Sequence, residues 1–251
     1  MANSEMFTGK ASIYKKYRPD YPGEYIDYLA EYNSLGPQSV IADIGSGTGV
    51  LSRQLLDRGF QVFCVEPNDD MRSSAETELE SYPGFTSING TAENTGLAGK
   101  SADLITAAQA FHWFDKDMFK AECKRVLKEG ANAALVWNSR DASSPFVKDN
   151  AVIMKRFCSL FNGFSGGIDD TPERFKTFFE NGSYDHRVFR NDLQYDLDGF
   201  IGRTLSASYA LNESSPGFKG FIAALTELFE RYSKSGKVIM HNITQSYIGK
   251  V

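Results

Sequence analysis

The chain has 251 residues, 41% of them hydrophobic and 24% charged, a balance that supports a sizeable buried core. A net charge of -5 and a pI near 5.3 speak against a nucleic-acid backbone as partner. No apolar run reaches the ~20 residues that span a bilayer.

The opening "MANSEMFTGKAS" lacks the basic patch and apolar stretch of a secretory signal, so a cytoplasmic location and no membrane partner are expected. Next, "YKKYRPDYPGEYIDYLAEY" carries proline turns at Pro19 and Pro22. It continues into a helix with Tyr25, Ile26, Leu29 and Tyr32 on one side. From Val40 to Trp137, short apolar runs alternate with amphipathic stretches of helix length. "SVIADI" reads as a strand, and "GVLSRQLLDRG" as a helix burying Leu51, Leu55 and Leu56 and ending at Gly59. "QVFCVE" is the second strand. "NDDMRSSAETELESY" is a helix whose apolar face is Met71, Ala75 and Leu79, and "FTSING" is the third strand. "ADLITAA" and "NAALVW" are further strands, separated by the helix "KDMFKAECKRVLKEG", which closes at Gly130. Apolar strands alternating with helices indicate parallel βαβ units, and ligands of such sheets bind beyond the carboxyl ends of the strands.

After Arg140 the pattern loosens. A helix is expected around "AVIMKRFCSLF", a glycine-rich turn from Gly163 to Gly167, and an aromatic helix near "FKTFF". A strand "HRVFRNDLQYDL", a helix over Phe221–Tyr232 and a last strand "VIMHNITQSYIG" follow. Cys64, Cys123 and Cys158 lie far apart in apolar surroundings, which argues for buried thiols rather than a disulfide framework. His112, His186 and His241 lack metal-ligand spacing, and no metal is expected.

The chemistry gathers at strand ends. Gly45, Gly47 and Gly49 alternate as GxGxG, one residue short of the dinucleotide fingerprint GxGxxG. Asp43 precedes them, where a carboxylate would repel a pyrophosphate but attract a cationic ligand. Glu66 ends the second strand, placed to accept hydrogen bonds from ribose hydroxyls, and Glu93 follows the third strand, where an adenine edge would lie. Ribose without pyrophosphate points to S-adenosylmethionine.

Seven segments carry a likeness in order: "YRPDYP", "IADIGSGTG", "VEPNDDMR", "GTAENTGL", "ADLITAAQAFHWFD", "KRVLKEGA" and "ALVWNSRD", over roughly residues 10–145. In them the chain resembles the class I S-adenosylmethionine-dependent methyltransferases. The nearer likeness is to the small-molecule subgroup (type 11) that includes trans-aconitate methyltransferase and the ubiquinone-biosynthesis methyltransferases. The resemblance implies an α/β, Rossmann-like, doubly wound sheet of seven strands with the last antiparallel, plus a helical cap. It implies one methyltransferase domain over 1–251: an N-terminal lid and helix (1–35), a cofactor-binding core (36–140), and a C-terminal half with the substrate cap and final strands (141–251). It puts Asp43, Gly45, Gly47 and Gly49 around the methionine part, Glu66 on the ribose and Met71 beside the adenine. Ala92 and Glu93 would flank the adenine edge, with Gln109 near the methionine end. Tyr14 and Arg18 would cover the cofactor, Arg18 as a carboxylate clamp. Ala98 and Ala131 depart from the family pattern, which has proline and glycine there.

For the acceptor, His112 and Trp113 in "AQAFHWF" and Arg140 at the end of "ALVWNSR" are candidates, with Arg203 and Tyr209 from "GRTLSASYAL". Phe114 reads as packing. His112 can be a general base, a substrate donor or a structural histidine. The reaction expected is methyl transfer to a small molecule, an acid or hydroxyl compound, in a monomer or homodimer without nucleic acid. A non-catalytic cofactor-binding protein and an NAD(P)-dependent oxidoreductase are the alternatives, the second opposed by GxGxG and Asp43.

Overall fold

The computed structural model describes residues 19–164, 173–207 and 209–251; Tyr14 and Arg18 lie outside the described residues, as do Ser165–Thr171 of the glycine-rich turn's neighbourhood and Pro172. Among the described residues, α1 (Gly23–Tyr32) leads into β1 (Val40–Ile44), α2 (Val50–Leu56), β2 (Gln61–Val65), α3 (Asp69–Leu79) and β3 (Phe85–Ile88). Then come β4 (Ala102–Ala108), α4 (Lys116–Val126) and β5 (Leu127–Arg140). Beyond these lie α5 (Pro145–Phe157), α6 (Glu173–Lys176), β6 (Asp185–Arg190) and β7 (Leu193–Tyr195). The chain ends with α7 (Leu197–Leu205), α8 (Phe218–Tyr232), β8 (Val238–Met240) and β9 (Asn242–Gly249).

Seven strands form one sheet in the order β3-β2-β1-β4-β5-β9-β6. β1 pairs parallel with both β2 and β4, whereas β9 runs antiparallel to both its neighbours. This is the doubly wound sheet with its last strand antiparallel. Alternate residues of each strand face opposite helical layers. Ala42, Ile44, Leu135 and Trp137 face one apolar core with Phe111, Phe119 and Phe175. Ile41, Val62, Leu104 and Val136 face the other, against Tyr25, Leu29, Leu51 and Leu55. A third core, built by Phe146, Met154, Phe200, Phe221, Leu225 and Met240, holds α5, α7, α8 and the β7–β8 ribbon together as the cap.

Several boundaries differ from the pattern in the sequence. α4 stops at Val126 rather than Gly130, because the amides of Lys100 and Ser101 take the carbonyls of Arg125 and Val126. Leu127 then pairs with Ala102 as the first residue of β5. On α1 the buried face includes Tyr28, whereas Tyr32 is exposed. The helix near "FKTFF" covers only Glu173–Lys176, and Phe178 and Phe179 pack from the following turn. The helix expected around "AVIMKRFCSLF" starts earlier, with Pro145 in its first turn, and ends at Phe157.

The two long C-terminal strands are each broken. β6 pairs with β9 in the main sheet, and β7 with β8 in a separate ribbon that continues the same ladder. The break falls at Asn191 and Asp192 opposite His241 and Asn242, where side chains compete for backbone groups. Asn242 Nδ2 donates to the Met240 carbonyl, and Asn191 Nδ2 to the Asp20 carbonyl.

Candidate active site

β1 and β4 are neighbours with their connections leaving in opposite directions, which opens a crevice at their carboxyl ends. A cavity of about 330 Å³ lies there, within the range of small-molecule sites. Asp43, Gly45, Gly47, Glu66, Met71, Ala92, Glu93, Gln109 and Trp113 all line it. Gly49, His112, Arg140 and Tyr209 are not among its lining residues.

The turn from β1 into α2 needs its glycines for different reasons. Gly45, Gly47 and Gly49 all have positive φ (67°, 58° and 80°), where a side chain is strained. A Cβ on Gly45 would stand 2.8 Å from the Ala110 Cβ, so this glycine packs the loop against the end of β4. A Cβ on Gly49 would meet Leu79 at 2.7 Å, so this one seats α2 against α3. A Cβ on Gly47 meets no protein atom within 4 Å, and the space it would enter belongs to the cavity.

The amides of this loop are already bonded. Gly45 and Ser46 donate to the Val65 carbonyl (2.8 and 3.2 Å), and Gly49 to the Ser46 carbonyl (3.0 Å). Gly47 donates to Glu66 Oε2 at 2.9 Å, while Glu66 Oε1 accepts from the Asn68 amide at 2.8 Å. A loop built to cradle a phosphate would hold such amides open toward the ligand. Here Glu66 ties β2, the glycine turn and the start of α3 together. A carboxylate has about four acceptor positions, so two remain for a ligand.

Asp43 is fully buried at the end of β1. Its oxygens accept from Ser52 Oγ at 2.6 Å and Thr106 Oγ1 at 2.8 Å. Burial pushes its carboxyl up to about 6, with the nearby Glu66 charge adding and the two hydroxyls opposing. Glu66 is also raised by burial, against two backbone amides and Arg72. Two desolvated carboxylates therefore face one cavity whose described lining contains no Lys, Arg or His. A cation entering there would relieve both, and a phosphate would be repelled.

The remaining walls are apolar or hydrogen-bonding. Met71 and Ala92 are buried, and Glu93 Oε1 accepts the Asp115 amide at 2.9 Å, fixing the turn before α4. Gln109 leaves β4 with φ 58°, a strained conformation for a non-glycine residue. Its amide donates to the Val136 carbonyl and its Nε2 to the Asn138 carbonyl, both at 2.9 Å. The strain is thereby held at the mouth of the cavity.

Phe111, His112 and Trp113 form a single 3-10 turn after β4. Trp113 lines the cavity, and the His112 ring stands behind it with centroids 4.7 Å apart. Phe114 both packs on Phe119 (4.8 Å) and lines the cavity, so the packing assignment covers half its role. Arg140, at the end of β5, lies in the cap beside Phe164, with Arg203, Tyr195 and Tyr209 around it. Sequence reading missed Tyr21, which lines the cavity; Asn138, placed with Arg140 at the ligand-side end of the fifth strand, lines it too. Asn138 was visible as the polar residue one alternation after Val136. Its Nδ2 points to the carbonyls of Pro19 and Asp20 (3.4 Å each), and its Oδ1 accepts from Asn191 (3.2 Å).

Among the described residues no group of His, Cys, Asp and Glu could hold a metal ion, and no helix is long and apolar enough to cross a membrane. The three cysteines are free and buried.

A methyltransferase-domain family model matches residues 42–135. An uncharacterized methyltransferase of Mycobacterium tuberculosis is 35% identical over 150 residues, 60% of this chain and 59% of the relative. The chain thus spans about 59% of the length of that relative. A putative type II methyltransferase from Anaeromyxobacter dehalogenans superposes with TM-score 0.66 at 22% identity, over 93% of this chain and 97% of the other. The Haemonchus contortus phosphoethanolamine N-methyltransferase 2, solved with S-adenosyl-L-methionine, superposes with TM-score 0.55 at 15% identity, over 99% of this chain and 57% of the other. Sheet order, glycine turn and matched sequence agree: residues 42–135 are similar to a methyltransferase domain, within a sheet that has the Rossmann-like methyltransferase fold.

Proposed function

We propose that this protein binds S-adenosylmethionine in the cavity beyond β1, β2 and β4 and transfers its methyl group to a small acid or hydroxyl compound. The observation that carries the reading is the pairing of bonded loop amides with buried carboxylates: the site rejects phosphate and suits a cation. When bound, S-adenosylmethionine supplies an electrophilic methyl on a sulfonium, transferred by in-line displacement without acid assistance to the leaving thioether. Asp43 and the glycine turn would hold the amino-acid end, and Glu66 the ribose hydroxyls. Met71, Ala92 and the Glu93 region would hold the base, and Gln109 the methionine end. Tyr14 and Arg18 belong to this proposal as a cover over the cofactor.

The protein's own work is then alignment and exclusion of water. Tyr21, Trp113 and Phe114 furnish apolar walls on the open side. His112, standing behind Trp113, sets the angle of that ring toward the acceptor, a positioning role rather than proton transfer. Arg140 and Tyr209 would contact the acceptor. No metal is proposed.

Isothermal titration with S-adenosylmethionine, S-adenosylhomocysteine, NAD and NADP tests the cofactor: the two sulfur compounds bind at micromolar concentration and the dinucleotides do not. Tighter NAD binding sinks the assignment. Formation of S-adenosylhomocysteine across a panel of small acids and hydroxyl compounds tests the reaction. Tight cofactor binding with no turnover on any acceptor would favour a non-catalytic binding protein.

A further inference from the structure

The cap contains a cation, Arg140, that no acid among the described residues pairs with. Arg140 Nη1 is shut off from solvent and has no hydrogen-bond partner among the described residues. The guanidinium carbon lies 3.8 Å from the centroid of the Phe164 ring, which covers one face. Phe164 is itself wedged against Phe161, and Phe161 against Tyr209, with centroids 5.1 Å apart in each pair. The adjacent acid, Asp141, does not serve: its Oδ1 accepts from the amide and hydroxyl of Ser143 at 2.8 and 2.6 Å.

The second charge nearby is another arginine. Arg203, on α7, donates to Ser206 Oγ at 3.3 Å and toward the Tyr195 oxygen. Burial first, and then the like charge of Arg203, pull the Arg140 pKa down to about 10, with Tyr209 and Tyr195 opposing. A guanidinium with one nitrogen shut off from solvent and no partner there is unfavourable, and a second cation beside it adds to the cost. Residues Asn138 and Arg140 share one face of β5 by strand alternation, and Asn138 lines the cofactor cavity. The arginine pair is therefore one alternation beyond the cavity wall, on the cap side.

We infer that Arg140 and Arg203, framed by Phe164, Tyr195 and Tyr209, form an oxyanion subsite that grips a negatively charged group of the methyl acceptor. The inference rests on the methyl-transfer reading and sharpens it: of acids and hydroxyl compounds, it selects acceptors bearing a carboxylate or a phosphate. Guanidinium forks recognise either group through paired N–H donors, and tyrosine hydroxyls supply further donors. The gripped anion need not be the group that receives the methyl; its charge anchors the molecule beside Asn138.

Titration of the full chain with tricarballylate and, separately, with glycerol 2-phosphate at constant ionic strength tests the subsite, with trimethyl tricarballylate as the uncharged control. At least one anion should bind and raise Tm, the neutral ester should not, and whichever anion binds more tightly identifies the source. Arg140→Met should weaken anion binding at least tenfold, leave S-adenosylhomocysteine affinity unchanged, and raise the ligand-free Tm by removing an uncompensated charge. Arg140→Lys should keep only part of the anion affinity, having lost the planar fork. Equal binding of ester and acid, no binding of either anion, or Arg140→Met lowering Tm without changing anion affinity would each overturn the inference. Failure of S-adenosylhomocysteine to bind the wild type would instead overturn the methyl-transfer reading, because the anion titrations are run without it.

Discussion

At the carboxyl ends of the parallel strands, the glycine turn after β1 and the cap beyond β5 treat charge in opposite ways. At the glycine turn, each carboxylate is satisfied from within: Asp43 by two hydroxyls, Glu66 by two backbone amides. In the cap, Arg140 Nη1 and both amide atoms of Asn150 are buried without a partner among the described residues. A preorganised polar shell changes little when its ligand arrives, whereas an unsatisfied one is stabilised by whatever completes it. On the proposed reading, the first arrangement would meet the cofactor and the second the methyl acceptor.

The contrast is tested most severely at Gly47, the one loop glycine whose side-chain position is open. Gly47→Val should abolish S-adenosylhomocysteine binding, a loss of ~100-fold or more, because the branched side chain would fill ligand space. Folding should suffer only the ~1–2 kcal/mol of a strained positive φ. Gly45→Val would instead collide with Ala110 and lose the fold and the site together. A Gly47→Val protein that titrates like wild type would break the contrast. Next in size, Glu66→Ala removes the acceptor of two loop amides and should weaken cofactor binding by about 1–3 kcal/mol. Unchanged affinity by titration calorimetry would mean that Glu66 braces the loop without meeting the ribose.

A pH titration sharpens the comparison further. The Asp43 carboxyl sits near 6, above its ordinary 3.8, so the folded chain holds a proton there that the unfolded chain releases. By linkage, this group's contribution to stability is greatest below pH ~4 and falls as pH rises through 6. A cationic ligand selects the ionised form, so cofactor affinity should rise about tenfold between pH 5 and pH 7. Glu66, raised by its own burial, acts in the same direction. Asp43→Asn should flatten most of that rise; a flat wild-type profile would show that Asp43 is already ionised.

The cavity at the glycine turn was legible in the sequence because every signal there is local. The glycine spacing, the acid before it and the acid closing the next strand lie within one βαβ unit, and strand alternation fixes which way they face. The cap was less legible. "HRVFRNDLQYDL" and "VIMHNITQSYIG" both alternate as single strands, and the break in their ladder falls where the Asp141 amide takes the His241 carbonyl and the Asn191 and Asn242 side chains bond to other carbonyls. Arg140 could be placed at a strand end, but its burial depends on Phe164, Arg203 and Tyr209, which come from separate segments. Likewise, no sequence pattern distinguishes Tyr28 from Tyr32 as the tyrosine buried beside Tyr25 on α1, because that choice is made by the edge strand β6.

That choice carries the smallest predicted effect and the cleanest separation of stability from binding. Tyr28 Oη donates to Asp185 Oδ1 at 2.6 Å, joining α1 to β6, and the Arg187 guanidinium lies 4.5 Å over the same ring. Asp185 also accepts from Arg187 at 3.2 Å, so removing the phenol leaves its carboxylate with a partner. Tyr28→Phe keeps the ring, its packing on Phe189 and the cation above it, losing one hydrogen bond to a charged acceptor. The expected cost is about 1 kcal/mol in chemical denaturation, with cofactor and anion affinities unchanged. A loss of cofactor affinity in this variant would mean that the β6 edge communicates with the glycine turn, and the independence of the two charge environments would fail.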